Sequence, residues 1–89
     1  MKKYIIERKL PGAGNMTAEE LREVVKTSIE CLASLGKPYT WVQSFVAEDK
    51  IYCVHIAESE DDVRQHAKFC KFPVNTIEKI FAVIDPATE

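Results

Sequence analysis

The stretch Tyr39–Ala57, YTWVQSFVAEDKIYCVHIA, decides the fold of this chain because it predicts two strands joined by a tight turn. The segments Tyr39–Ala47 and Ile51–Ala57 are rich in aromatic and β-branched residues, which favour extended backbone. The polar EDK between them fits a short hairpin connection. We therefore expect an antiparallel hairpin in the middle of the chain.

A strand and a helix precede this hairpin. Lys3–Leu10 is predicted to be the first strand, and PGAGN interrupts it. Thr17 starts a helix, because TAEE fits a capping box in which Thr17 and Glu20 each accept a hydrogen bond from the other's amide. Gly36, followed by Pro38, ends this helix. Its apolar face consists of Leu21, Val24, Val25, Leu32 and Leu35.

A second helix and a fourth strand follow the hairpin. Ser59 is the predicted cap of the helix, and three acidic residues occupy the first turn, where the helix dipole favours negative charge. The fourth strand is predicted at Thr76–Asp85, with Pro86 as its stop. The order strand, helix, strand, strand, helix, strand is that of the α+β ferredoxin-like fold, with both helices on one face of a four-stranded antiparallel sheet. We expect residues 1–89 to form one such domain.

The composition is that of a packed globular domain. Hydrophobic residues make up 46% of the 89 residues and charged residues 29%, which argues against disorder. The net charge of −2 and the absence of a basic block argue against a nucleic-acid partner. The apolar runs are too short to span a membrane, and charged residues at positions 7–9 interrupt the run that a signal peptide needs. Three cysteines without CxxC spacing favour free thiols in a reducing cytoplasm over a disulfide framework.

The sheet is expected to have one face that the helices leave uncovered. Alternation along the third strand separates Tyr52, Val54 and Ile56 from a second set that contains Cys53 and His55. Neither set is polar, so a monomer would expose apolar sheet to water. We expect this face to meet the sheet of an identical chain across a two-fold axis.

Cys53 and His55 are the first candidate ligands for a metal ion. They lie two positions apart on one strand, and thiolate and imidazole suit nickel, zinc or copper. The structural alternative is that Cys53 is a small buried hydrophobe and that His55 forms a hydrogen bond at the sheet interface.

Glu7 and His66 are weaker candidates. Glu7 belongs to the first strand, which lies beside the third in this topology, and its carboxylate is able to complete a site with His55; the alternative is a solvated strand end. His66 lies on the apolar side of the second helix, where a lone histidine is usually a packing residue. We expect His66 to face the helix-covered layer and Cys53 and His55 to face the other, so that the three do not form one site.

Several segments resemble a family of small single-domain proteins once catalogued as a domain of unknown function, whose best-known representative is nickel-binding and nickel-responsive. The segments that carry the resemblance are ERKLPGAGNMTAEEL, TWVQSFVAEDKIYCVHIAESEDDVRQHA, FPVNTI and VIDP. It implies a ferredoxin-like dimer that binds a divalent transition metal. The family often has a histidine where this chain has Gln43 and an aromatic residue where it has His55. The matching residues are Trp41, Ser44, Asp49, Tyr52, Cys53, His66, Phe72, Pro73 and Pro86.

We therefore expect a cytoplasmic, non-catalytic homodimer that binds a nickel-like divalent metal ion or responds to one. The alternative is a dimeric α/β-barrel enzyme or small-ligand-binding protein with a pocket on the open sheet face, where His55 or Glu7 would act as acid or base. A third possibility is a pure interaction module. The residues expected to line the alternative pocket are Tyr4, Trp41, Gln43, Phe45 and Tyr52.

Overall fold

The computed structural model describes residues 1–88 and contains four strands and two helices. Short 3-10 helices lie at Ala13–Asn15 and Pro86–Thr88. The main elements in chain order are β1 (Lys2–Lys9), α1 (Ala18–Leu35), β2 (Tyr39–Val46), β3 (Lys50–Ala57), α2 (Glu60–Cys70) and β4 (Thr76–Ile80).

The four strands form one antiparallel sheet in the order β2-β3-β1-β4. The β2–β3 hairpin lies on one side of β1, and β4 lies on the other. The predicted ferredoxin-like fold is confirmed.

The predicted caps set both ends of α1 and the start of α2. Thr17 Oγ1 accepts a hydrogen bond from the Glu20 amide at 3.1 Å, and Glu20 Oε1 accepts one from the Thr17 amide at 2.9 Å. Gly36 ends α1 with a φ of 71°, in the left-handed region that glycine adopts without strain. At the start of α2, Ser59 Oγ accepts from the Asp62 amide at 3.3 Å.

The helix-covered face of the sheet carries the core. Tyr4 and Ile6 of β1 and Cys53 and Ala57 of β3 are buried there, together with Val63 of α2. The opposite face carries half-buried apolar side chains at Ile5, Tyr52, Val54 and Ile56. A chain with two helices on one face thus retains an apolar sheet face, as alternation predicts.

The side chains of β2 do not alternate strictly between the two sheet faces beyond Trp41. A bulge between Trp41 and Gln43 shifts the register, so that Trp41 pairs with His55 while Ser44 pairs with Cys53. The extra residue of a bulge reverses the side-chain parity of the strand that follows. Trp41 and Ser44 therefore face the same side of the sheet, although strict alternation along a strand would place them on opposite sides.

The fourth strand is shorter than predicted. It ends at Ile80, which pairs with Lys3 of β1, and the predicted continuation to Asp85 is not extended sheet. In this register Phe81 would lie opposite Lys2, where β1 begins, so β1 offers no strand residue with which positions 82–85 could pair. Phe81, Val83 and Ile84 consequently lie exposed on the segment after β4.

The expectation of three free cysteines is also wrong. Cys31 of α1 and Cys70 of α2 form a disulfide with a Cα–Cα distance of 5.9 Å, while Cys53 is free and buried. Their separation of 39 residues carries no local signal, because packing of the two helices brings them together. None of the helices in residues 1–88 is long and apolar enough to cross a membrane.

Candidate functional site

A cavity of about 410 Å³ lies between α1 and the helix-covered face of the sheet. The helix contributes an apolar wall, and none of its residues is fully buried. Helix α1 therefore covers this part of the sheet without filling the space above it. The wall consists of Leu21, Val24, Val25, Ser28 and Leu32.

The titratable side chains of the cavity come from the sheet and from α2. Arg8 of β1, His55 of β3 and His66 of α2 all line it. Cys53 lines it as well, because the helix-covered set of β3 is the one that contains Cys53 and His55. This corrects the expectation that they face the open side of the sheet. The pattern yields two sets of side chains, but it does not say which set the helices cover.

His55 and His66 are neighbours, contrary to the expectation that they occupy different layers. Their ring centroids are 5.1 Å apart. Tyr39 contacts both rings: its hydroxyl lies 2.5 Å from His55 Nδ1, and its ring stacks on His66 with centroids 4.6 Å apart. Both nitrogens of His66 are buried without a hydrogen-bond partner. A buried imidazole without partners is costly, so a ligand that bonds to it would offset that cost.

Both imidazoles are held neutral at pH 7. Burial, the neighbouring His66 and the Arg8 charge lower the pKa of His55 to about 3. Burial and the Arg8 charge lower the pKa of His66 to about 4. Burial also raises the pKa of Tyr39, so its hydroxyl keeps its proton. The cluster therefore presents neutral hydrogen-bonding groups beside one permanent positive charge.

Arg8 supplies that charge. Its side chain is 6% exposed, and its Nη1 donates to the Pro73 carbonyl at 2.8 Å. The guanidinium carbon lies 5.4 Å from the centroid of the Phe72 ring. No ion pair within residues 1–88 includes Arg8. The sequence gives one indication that Arg8 is buried. Side chains alternate along a strand, so Arg8 lies on the same face of β1 as the core residues Tyr4 and Ile6.

A chain of hydrogen bonds runs along the β2–β3 side of the cavity. Trp41 Nε1 donates to Ser44 Oγ at 2.9 Å, and Ser44 Oγ donates to Cys53 Sγ at 3.0 Å. The bulge makes this possible by placing Trp41 and Ser44 on one face. The Cys53 thiol therefore has the Ser44 hydroxyl as its neighbour. The His55 imidazole does not serve as its base, because His55 is hydrogen-bonded to Tyr39.

The remaining predicted site residues lie elsewhere. Glu7 faces the open side of the sheet, where its Oε1 is 3.3 Å from Lys50 Nζ, so it does not reach His55. Tyr4 is part of the core, and the cavity lining does not include it. Gln43, Phe45 and Tyr52 are likewise not part of the lining, whereas Trp41 is. The cavity described above lies under α1 and not on the open sheet face.

A three-ligand metal centre is not preformed in the described chain. No group of three or more His, Cys, Asp or Glu side chains within residues 1–88 is placed to hold a metal ion. The histidine pair offers nitrogen donors, but the positive charge of Arg8 lies close enough to lower both of their pKa values. A cation bound there would be repelled by the same charge.

Comparisons with known proteins place this architecture in a family. The chain resembles the crystal structure of SCO4226 from Streptomyces coelicolor A3(2), with a TM-score of 0.73 and 15% sequence identity over 92% of this chain and 99% of that one. No curated protein matches the sequence. Residues 4–80 match the family model described as nickel responsive protein SCO4226-like. The chain therefore belongs to the SCO4226-like family of nickel-responsive proteins.

Proposed function

We propose that this protein is a non-catalytic binding protein whose ligand site is the cavity between α1 and the sheet. The observation that carries this proposal is a cavity of about 410 Å³ with an apolar wall on α1 and a buried polar cluster on the sheet side. Ligand sites in proteins are typically apolar clefts of about 300–1,000 Å³ with a few convergent polar groups. The cavity has both properties.

An uncharged apolar probe tests this proposal without depending on any one polar residue. We expect 1-octanol to bind saturably and to shift the NMR signals of α1, Trp41 and Cys53. Val24→Trp should fill the cavity and remove this binding, since Val24 lines the helical wall. Val42→Trp is the matched control, because Val42 is exposed and is not part of the lining. Signals that shift only around Ile5 and Val54 would contradict the proposal, as would the absence of saturation.

A divalent metal ion such as nickel, zinc or copper is the second candidate ligand. Two observations favour it: the family is nickel-responsive, and both nitrogens of His66 lack partners next to His55. Neutral imidazole is a ligand for these metals. A third ligand would have to come from Cys53, from a second chain or from a small molecule, and the charge of Arg8 opposes the ion.

Calorimetric titration of Ni²⁺ and Zn²⁺ into tag-free protein tests this second candidate. If a metal binds at the histidine pair, His66→Gln should abolish binding. Glu7→Gln is the control, because Glu7 lies on the opposite face of the sheet. Loss of binding in Glu7→Gln with retention in His66→Gln would move the metal to the open face. The ranking of His55 above His66 as a candidate ligand no longer has its geometric basis, since both histidines line the same cavity.

Self-association is part of the proposal. The open face presents half-buried apolar side chains at Ile5, Tyr52, Val54 and Ile56, and the exposed Phe81–Ile84 segment follows β4. A second copy of the chain would remove this surface from water.

A cytoplasmic location is also part of the proposal. Cytosolic thiols are kept reduced, so the Cys31–Cys70 disulfide would be reversible in that compartment. Alkylation of thiols in intact cells before lysis, followed by mass measurement, should find Cys31 and Cys70 alkylated. A chain recovered mainly with the disulfide intact would contradict a cytoplasmic location.

A further inference from the structure

Arg8 brings into the cavity a positive charge that no carboxylate within residues 1–88 pairs with. A guanidinium does not lose its proton in proteins, and burying a charge without a counter-charge is costly. The ion pairs of residues 1–88 use other side chains, namely Lys37 with Asp62, Lys50 with Glu7 and Arg64 with Glu60. The Arg8 side chain is only 6% exposed. Within residues 1–88, Arg8 is therefore a buried cation without an anionic partner.

The contacts of Arg8 hold the guanidinium in place and leave donors available. The Pro73 carbonyl accepts a bond from Nη1, and the Phe72 ring lies against the group. A guanidinium has five N–H donors, so most remain for a molecule in the cavity that Arg8 lines. The fork of an arginine matches a carboxylate, which accepts two parallel hydrogen bonds from it.

His66 strengthens the case for a ligand at this end of the cavity. It is 2% exposed and lines the same cavity, and neither ring nitrogen has a partner. A neutral imidazole has one N–H donor, which can bond to an anionic oxygen beside Arg8.

The other walls of the cavity are apolar. Leu21, Val24 and Leu32 of α1 lie on one side, and Ile51 and Trp41 lie on the sheet side. An inorganic anion would leave this surface in contact with empty space or water. A ligand that matches both the polar end and the apolar walls of the cavity has one anionic group and an apolar body.

We propose that the cavity binds a free organic carboxylate with an apolar tail, with the carboxylate paired to Arg8 and the tail against α1. This assignment rests on the proposed function, since it names the class of ligand for the same cavity. It accounts together for the apolar helical wall and for an arginine and a histidine that have no ion-pair or hydrogen-bond partner, respectively, among the described side chains.

Octanoate and 1-octanol form a matched pair of probes, because they share chain length and differ in the charged group. We expect calorimetry at pH 7 to give one octanoate per chain, bound at least about tenfold more tightly than 1-octanol, as a charge-assisted hydrogen bond predicts. NMR signals of the Arg8 and His66 side chains should shift with octanoate.

Arg8→Gln should remove the preference for octanoate, so that octanoate and 1-octanol bind this variant with affinities within about twofold of each other. Arg22→Gln, which removes the same charge from an exposed position on α1, should keep the preference. If Arg8→Gln does not fold, the ratio of the two wild-type affinities and the shifts at Arg8 decide the question alone.

Two outcomes separate the two proposals. Equal binding of octanoate and 1-octanol in the cavity would overturn the carboxylate assignment and leave the binding function intact. Failure of both probes to bind would overturn the cavity as a ligand site, and the carboxylate assignment with it.

Discussion

At the scale of single residues, His55 and His66 make the stability of the fold depend on pH. Their folded-state pKa values are about 3 and about 4, whereas an unfolded chain protonates histidine near pH 6.5. Below about pH 6.5 the unfolded state binds more protons than the folded state, so the free energy of unfolding falls as the pH falls. The loss continues until the pH reaches the folded-state values. Above pH 6.5 the histidines are neutral in both the folded and the unfolded state, so their protonation no longer lowers the free energy of unfolding.

Urea denaturation at pH 7 and pH 5 measures this effect. We expect each histidine to contribute a loss of up to ~2 kcal/mol at pH 5, from the separation of its two pKa values. The chain has only two histidines, so the His55→Gln, His66→Gln double variant isolates the pH dependence of the carboxylates. A loss as large in the double variant as in wild type would show that the buried histidines are not its source.

At the scale of elements, the capping box holds the start of α1 over the cavity. Thr17→Ala removes the hydroxyl that accepts from the Glu20 amide. We expect a cost of ~1 kcal/mol in the free energy of unfolding, as for other threonine caps. Thr27→Ala is the control, because Thr27 is exposed in the helix interior and alanine is a good helix former. Equal effects of the two changes would show that the cap contributes no more than an interior threonine.

The disulfide is the second device that positions α1. Helix α1 has no fully buried residue, and Cys31–Cys70 joins it covalently to α2. In the chain-entropy model, a disulfide across a separation of 39 residues stabilises the folded state by about 4 kcal/mol, and measured stabilisations are often lower. We expect a reducing agent to lower the urea midpoint of wild type by a corresponding amount.

The Cys31→Ser, Cys70→Ser double variant is the control for this experiment, because it has no disulfide to reduce. Its urea midpoint should be low from the start and should not respond to the reducing agent. A wild-type midpoint that does not change on reduction would mean that packing alone holds α1 in place.

At the scale of the whole molecule, the open sheet face determines the expected assembly. Light scattering at micromolar concentration should give twice the mass of the chain, because dimerisation buries the apolar side chains around Val54. Val54→Arg should yield a monomer by placing a charge at the centre of this face. Ser34→Arg, on the exposed side of α1, should leave the mass unchanged. A wild-type protein of single-chain mass at that concentration would contradict the dimer.

The amino-acid sequence by itself determined the elements and their order. The hairpin at Tyr39–Ala57 and the helix ends at Thr17, Gly36 and Ser59 were all predictable, because each depends on residues adjacent in the chain. The element order then limits the topology to few choices, and the ferredoxin-like arrangement follows. The apolar character of both sheet faces was visible for the same reason, since alternation is a local property of a strand.

Only the tertiary structure decided what the site contains. Alternation cannot tell which face the helices cover, and the observed choice brings Cys53, His55 and His66 to one cavity and leaves Glu7 outside it. The bulge in β2 and the Cys31–Cys70 disulfide likewise depend on partners distant in sequence. Within residues 1–88, the burial of Arg8 without a carboxylate partner has the same origin, because a counter-charge is found or missing only after distant segments have packed together.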